Sequence, residues 1–392
     1  MRAPYRTRSP GSVARRSWVT VGLTVLALTV AGCDGSATAE PDAAPSGTEV
    51  PPPTSAGPSA TPSPAPAPGP VTIAFAGDVH FESQLRPLLD DPANALASIA
   101  PQLSAADLTV LNLETSIGTS GTREPKRFTF QAPPQALQAL AAAGVDVATM
   151  ANNHGMDYGA GGLADSLVAA EAAGTADPPL AVIGIGADAD RAFAPAVRDI
   201  RGTKVAVLAA SSADDPTADP TAHWAATDAS AGVAVAADPA RLVRAVAEAR
   251  RIADVVVVYL HWGVQGERCP SDSQAAMARA LSTAGADIVV GAHAHTVQGA
   301  GLLGETYVAY GLGNFVWYNH GSDGASTTGV LTLTVDDGRV VDDAWSPARI
   351  EADGLPRFAT GTDATQLATA FDDRRSCTDL QPLPPPTRRA TT

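Results

Sequence analysis

Val71-Thr72-Ile73-Ala74-Phe75-Ala76-Gly77-Asp78-Val79-His80 opens on a largely apolar run of strand length and ends on a glycine, a carboxylate and an imidazole. The same design recurs four times downstream. Residues 107–111 run into Asn112-Leu113-Glu114, and 145–150 into Ala151-Asn152-Asn153-His154. Residues 255–260 run into His261-Trp262-Gly263, and 287–290 into Gly291-Ala292-His293-Ala294-His295. In an open α/β sheet the carboxyl ends of the strands line the crevice that binds ligands, so these polar ends are expected to converge on one site. Residues two apart in extended chain project to the same side, which lets Asp78 and His80, and likewise His293 and His295, address one centre.

Five of the seven histidines lie in these motifs. Imidazole mixed with carboxylate suits a transition metal rather than calcium, and this many donors exceeds the needs of one tetrahedral zinc. The expectation is two divalent ions of the Mn, Fe or Zn kind, about 3.5–4 Å apart with an activated water, as in two-metal hydrolases. Asn112 and Asn152 adjoin the donor positions and are read as residues that orient them.

Between the runs lie Ala-rich amphipathic stretches, and the alternation indicates an α/β layer fold over residues 71–350. Further strands are expected at 181–185, 204–209 and 305–309. Helices are expected at 93–103, 134–143, 161–173, 239–253 and 271–284, with Pro239 at a first helical position. Residues 327–335 and 339–345, joined by Asp336-Asp337-Gly338, read as a β-hairpin. Residues 351–392 form a C-terminal tail of weaker pattern.

A chain of 392 residues that is 45% hydrophobic and 17% charged has enough apolar material for a core. A formal charge of -15 argues against a nucleic-acid partner, since phosphate binding relies on basic patches. Residues 1–32 carry Arg2, Arg6, Arg8, Arg15 and Arg16, then an apolar run from Trp18 to Ala31, and end beside Val30-Ala31-Gly32-Cys33. This reads as a lipoprotein signal peptide. Cleavage would export the chain and leave Cys33 as a lipid anchor at the outer face of the cell membrane; Arg15-Arg16 leaves Sec or Tat export open. Residues 1–32 contain five arginines and no acid, so their removal takes the formal charge from -15 to -20. Residues 33–70 comprise the lipidated cysteine and a Pro/Ala/Ser-rich linker. Cys269 and Cys377 then remain as an even pair in an oxidising compartment, where a disulfide is expected. Three cysteines are too few for a four-cysteine metal site.

The ordered series Gly-Asp-x-His, Asn-Leu-Glu, Asn-Asn-His-x-x-Asp-x-Gly, His-Trp-Gly, Gly-x-His-x-His and Gly311-Leu312-Gly313-Asn314-Phe315 resembles the capsule-synthesis CapA family. That family belongs to the calcineurin-like metallophosphoesterase superfamily, and the resemblance spans about residues 71–320. It implies a four-layer α/β sandwich, two mixed β-sheets flanked by helices, with metals at the sheet edge. It also implies an association with poly-γ-glutamate capsule synthesis or export.

Carried onto matching positions, the resemblance assigns one metal to Asp78, His80 and His295 and the other to Asn153, His261 and His293. Glu114 stands where the superfamily places a bridging aspartate. His154 matches the histidine that assists the leaving group; Asp157, three residues on, either orients that imidazole or caps the helix expected from residue 161. Arg123, Lys126 and Arg127 form a positive cluster that either docks an anionic substrate or belongs to a solvated loop. Tyr310, Asn314, Phe315 and Trp317 either wall the cleft on the substrate side or pack on the core.

The sequence thus supports a surface lipoprotein with a dinuclear hydrolase-like domain, acting in synthesis, release or anchoring of an anionic envelope polymer. Its expected partners are that polymer or a phosphoester substrate, the membrane through its lipid, and the capsule synthesis machinery. The alternative is a non-catalytic polymer-binding or assembly subunit. A third reading is a phosphodiesterase or nucleotidase without a capsule role.

Overall fold

Strand β1 (Val71–Val79) is buried almost throughout, and the rest of the fold is arranged around it. The computed structural model describes residues 69–213, 221–318 and 321–384; residues 1–32, Cys33 and nearly all of the 33–70 linker lie outside the described residues. β2 (Leu108–Leu113), β3 (Val147–Thr149) and β4 (Ala181–Ile183) add to β1 in parallel. The chain then builds a second sheet from β5 (Ala196–Ile200), β6 (Thr203–Ala213), β7 (Val255–Gly263), β8 (Ile288–His293), β9 (Ala300–Leu303) and β10 (Thr306–Ala309). It returns to the first sheet with β11 (Asn314–Val316), β12 (Thr327–Asp336), β13 (Arg339–Ile350) and β14 (Pro356–Phe358).

The first sheet has the order β14-β13-β12-β1-β2-β3-β4, with β11 pairing in parallel to the end of β1. The second has the order β9-β10-β8-β7-β6-β5, and its centre, β6-β7-β8-β10, is parallel. Crossover helices α1 (Gln135–Ala142) and α2 (Gly159–Gly174) serve the first sheet, and α3 (Ala240–Ala249) and α4 (Asp272–Ala284) the second. This is the mixed α/β architecture of two sheets with helices that the motif order implied. The Tyr259 hydroxyl in β7 donates to the Ala76 carbonyl in β1 at 2.6 Å, tying the two sheets together just beneath their carboxyl ends.

Three local expectations differ from the structure. Residues 92–99 form successive turns, and only Ala100–Leu103 is helical. The cause is Pro101, which has no N–H and whose ring would clash with the residue 97 carbonyl if one helix ran through. Pro239 is the residue before α3 rather than its first position, while the Asp238 carboxylate accepts from the Ala240 N–H at 3.0 Å. The folded region also continues past residue 350. β14 extends the first sheet, helix α5 (Gly361–Asp373) stacks Phe371 on Trp345 with centroids 4.4 Å apart, and Gln381 pairs with Leu302 at the edge of the second. Cys269 and Cys377 are disulfide-bonded, with Cα atoms 5.7 Å apart across 108 residues of sequence.

At the ends of the sheets opposite the polar motifs, an aspartate precedes each of four parallel strands and binds the neighbouring strand twice. The amides of Asp107, Asp146, Asp254 and Asp287 donate to the carbonyls of Thr72, Thr109, Lys204 and Val256. Their carboxylates accept from the N–H groups of those same four residues at 2.7–2.8 Å. Each pair saturates the base of a parallel ladder and fixes its register. Asp107 also binds the Thr72 hydroxyl and the Arg201 guanidinium, and these contacts, Arg201 foremost, lower its pKa from 3.8 to about 2.

Asp107→Asn is therefore expected to lower stability by about 1–2 kcal/mol at pH 7, read from urea unfolding. Because the folded pKa lies below the unfolded one, the carboxylate's contribution is complete above pH 3.8 and is lost as the pH falls through about 2. The gap between wild type and variant should narrow over that interval; a constant gap would show that the charge has no part in it.

Candidate metal centre

Asp78 leaves β1 where the strand exchanges partners. Gly77 permits this, because a β-carbon there would stand 1.8 Å from the Gly313 carbonyl oxygen, and its absence lets the Asp78 amide donate to that carbonyl at 2.9 Å. Parallel register brings Asn112 beside Asp78 and puts Glu114 just beyond the end of β2. In the second sheet, register places His261 of β7 beside Ala292 of β8, next to His293. Gly291 makes room in the same way. A β-carbon there would meet Trp262 Nε1 at 2.0 Å, whereas glycine lets that N–H reach the Tyr310 carbonyl at 2.7 Å. His293 and His295 both take left-handed backbone conformations (φ 86° and 52°) that non-glycine residues rarely adopt. Such strain is concentrated in proteins where function requires a side chain to point a particular way.

The strand ends meet. Asp78, Glu114 and His261 offer donor atoms all within 4.8 Å of one another. His295 Nδ1 lies 3.1 Å from Asp78 Oδ2, His293 Nδ1 lies 3.0 Å from His261 Nε2, and Asn153 Oδ1 lies 2.8 Å from the same His261 nitrogen. Glu114 Oε1 faces His154, His261 and His295 at 3.6, 3.7 and 3.9 Å. Behind them Asn112 donates to Asp78 at 2.8 Å, and Asn152 donates to Asn112 Oδ1 at 3.0 Å. Both asparagines orient the donors rather than supplementing them.

Whether a metal fits is decided by the state of Glu114. Its side chain is fully buried, and neither carboxylate oxygen accepts a hydrogen bond. Burial, and after it the Asp78 carboxylate, push the Glu114 carboxyl well above its usual range. Two adjacent buried carboxyls with one set of donors between them describe a site that a cation would complete. Burial also lowers His261, with His293 and His295 adding to the effect, and so keeps the imidazole in the neutral form that ligates. The donor set therefore fits a metal ion.

His80 is placed differently from the rest of the expected set. It is fully buried, and its Nδ1 accepts from the Glu82 amide at 3.0 Å. With Nδ1 accepting, the neutral ring carries its proton at Nε2, which is buried without a hydrogen-bond partner. The ring packs instead among Phe130, Trp317 and Tyr318, with centroids 4.2–4.8 Å away.

His154 Nδ1 lies 2.5 Å from Asp157 Oδ2, and Asp157 is held in turn by the Phe130 amide and by Lys126 Nζ at 2.6 Å each. Lys126 also donates to the Asn153 carbonyl and lies over the Trp224 ring. Lys126 differs from Arg123 and Arg127: it lines the cleft together with Arg127, but its side chain is 7% exposed and engaged beneath His154. Arg123 and Arg127 are exposed; the first bonds the Thr129 hydroxyl and the second lies over Phe128.

Above the donors opens a cleft of about 630 Å³, lined by His154, His293, His295, Asn153 and Asn314, with Phe128, Phe130, Trp317 and Tyr318 as its aromatic walls. Phe130 stacks on His154 with centroids 4.1 Å apart, and Trp317 leans on His295 at 4.6 Å. Asn314 stands beside Asp78 in the β1–β11 register and donates to the Ala325 carbonyl. Tyr310 and Phe315 are buried core residues and do not line the cleft. Phe128, Phe130 and Gln265 line it without having been expected there from sequence. The alternation Phe128-Thr129-Phe130, next to the basic cluster, was the available signal for the first two.

The family model described as "Bacterial capsule synthesis protein PGA_cap" matches residues 72–319. The PGA biosynthesis protein CapA of Bacillus subtilis (strain 168) is 29% identical over 254 residues, covering 63% of this chain and 63% of its own. The chain thus spans less than two thirds of that relative. A probable polyglutamine synthesis accessory protein of Mycobacterium tuberculosis is 29% identical over 286 residues, 69% of this chain and 72% of its own. A phosphatase structure from Mycoplasma pneumoniae aligns over 76% of this chain and 97% of its own, at 14% identity and a TM-score of 0.44. The matched region begins within β1 and runs past β11, so it contains every strand end that contributes to the centre, and the chain belongs to the bacterial capsule synthesis (PGA_cap) family.

Proposed function

We propose that this chain is a surface-anchored, metal-dependent hydrolase acting on an anionic capsule polymer of the poly-γ-glutamate type during its synthesis, release or anchoring. The observation that supports hydrolysis is Glu114, a buried carboxylate without hydrogen-bond donors where Asp78, His261 and His295 converge. Capsule involvement is supported by the family and by its named relatives. Anchoring is supported by the signal-like residues 1–32, by Cys33 and by the 33–70 linker.

Asp78, Glu114, Asn153, His261, His293 and His295 would hold two divalent ions of the Mn, Fe or Zn kind. Such ions, when bound, polarise the scissile group and activate water. The chain's own residues supply the rest. Asp157 accepts from His154 Nδ1–H and fixes the ring, while Lys126 balances the Asp157 charge. To donate, the ring must carry protons on both nitrogens, a form that burial opposes and Asp157 favours; its Nε2 proton, directed toward the donors, then passes to the departing oxygen or nitrogen and leaves the neutral ring. Phe130 and Trp317 exclude water from the rings they cover.

Elemental analysis of the purified chain should find up to two transition-metal ions, with occupancy reduced in Asp78→Ala and His261→Ala. No metal above background in the wild type would remove the hydrolase reading and leave the non-catalytic polymer-binding or assembly subunit.

His154→Gln should lower kcat on a γ-glutamyl oligomer or a simple phosphoester by about 10²–10⁴-fold while metal content stays unchanged. Unaltered turnover would end its leaving-group role. Cys33→Ser should shift the protein from the membrane fraction to the soluble fraction on cell lysis, an outcome that separates lipid anchoring from simple secretion.

A further inference from the structure

The sequence holds 41 acidic residues against 26 basic ones, yet among the described residues no acid lines the cleft, whereas Lys126 and Arg127 do. Asp78 and Glu114 lie beneath it and are fully buried. The wall that a ligand meets on entering therefore carries no negative charge, although the rest of the surface is strongly acidic, and it favours an anionic ligand.

The two cations are not equivalent. Lys126 Nζ is spent on Asp157 Oδ1, at 2.6 Å, and on the Asn153 carbonyl. Arg127 has no acidic or hydrogen-bond partner among the described residues; its guanidinium lies over the Phe128 ring, 4.9 Å from the centroid. Phe128 is itself 49% exposed and lines the cleft, so ring and guanidinium present a surface that is apolar on one side and charged on the other. Arg123, on the same segment, does not line the cleft and bonds the Thr129 hydroxyl.

The backbone that carries Arg127 is held on both sides. Lys126 precedes it, pinned beneath His154. Phe130 follows, with its amide donating to Asp157 Oδ2 at 2.6 Å and its ring stacked on His154. Farther out, the Glu124 amide donates to the Asp157 carbonyl at 2.8 Å and the Gln131 amide to Glu82 Oε1 at 2.8 Å. Residues 127–129 thus form a short tip between anchored points, and those anchors also hold the His154 ring. Such a tip keeps Arg127 in a set relation to the histidine, and little ordering remains to be done when a ligand binds.

We propose that Arg127 is the specificity-determining residue of the cleft, pairing with a carboxylate that the ligand carries next to the group held at the metal donors. The inference rests on reading the cleft as the substrate site. It makes the ligand a chain with a free carboxylate beside each linkage, because a neutral ester or amide at the donors would leave the guanidinium without a partner. Phe128 and Phe130 offer apolar surface to the methylene groups between successive carboxylates.

The test is fluorescence anisotropy on the full chain with three labelled decamers: γ-glutamyl, the same chain with its α-carboxylates converted to carboxamides, and glycerol phosphate. The wild type should bind the γ-glutamyl decamer about tenfold more tightly than the carboxamide form. Arg127→Gln should reduce this preference to about twofold or less. Arg251→Gln, the same charge change at an exposed residue just before β7, should keep the preference. A preference that survives in Arg127→Gln, or is lost equally in Arg251→Gln, would overturn the role of Arg127 and leave the cleft reading standing. Tighter binding of the glycerol-phosphate decamer than of the γ-glutamyl one would overturn the carboxylate assignment. Failure of the wild type to bind any of the three would overturn both the inference and the cleft reading.

Discussion

Asp78 and Glu114 end adjacent parallel strands and are completely buried, yet only one of them is supplied with donors. Asp78 takes hydrogen bonds from Asn112, from the His293 amide and from His295; Glu114 takes none. An ionised carboxylate moved from water into a protein interior loses many kcal/mol of hydration unless a cation or strong donors replace it. The fold therefore carries a site with a sign preference, and His261, whose pKa burial lowers, is held toward the neutral form that shares a cation instead of repelling it. Register makes this inevitable: once β1 pairs with β2 and β7 with β8, the carboxylates and histidines have nowhere else to go.

The two ends of the sheets divide the work. At the amino ends, each aspartate is spent on the backbone of its neighbour and is fully satisfied. At the carboxyl ends, polar side chains are left under-satisfied and the backbones of His293 and His295 are strained. Stability comes from the first arrangement and from the apolar strands between. The second is a site whose free energy improves only on binding. A defect at the base should therefore appear as lost stability with ligand chemistry intact, and a defect at the rim should appear the other way round.

This division also explains what was legible in the sequence. Apolar runs ending on Asp78, Glu114, Asn153, His261 and His293 revealed the strands and the convergence of their ends, because burial on both faces leaves an unbroken hydrophobic signal with an abrupt polar end. The sequence could not show the tautomer of His80, since that depends on where the Glu82 amide points. Lys126 looked like a surface charge because its neighbours Arg123 and Arg127 are surface charges; its burial is decided by Asp157, 31 residues away. The tail after residue 350 was underestimated for a related reason. Its few apolar groups, Phe371 and Leu380, are anchored by Trp345 and by the edge of the second sheet, contacts without any local period.

A chain with formal charge -15 is a poor general attractor of anions, and at physiological salt its field is screened within about 8 Å. Any anionic ligand must then be drawn by charges close at hand. Nine of the 17 arginines among the described residues cannot help, since Arg86, Arg191, Arg201, Arg241, Arg250, Arg279, Arg339, Arg357 and Arg375 are paired with acids. In the cleft, attraction would come from a cation that completes the Asp78–Glu114 pair and from Arg127 in its lining. A surface that repels anions everywhere except at one opening would exclude the flanks of a long polyanion while admitting the segment that reaches the donors. On the proposed function, the acidity of the chain would sharpen the site's selectivity for where along a polymer it acts.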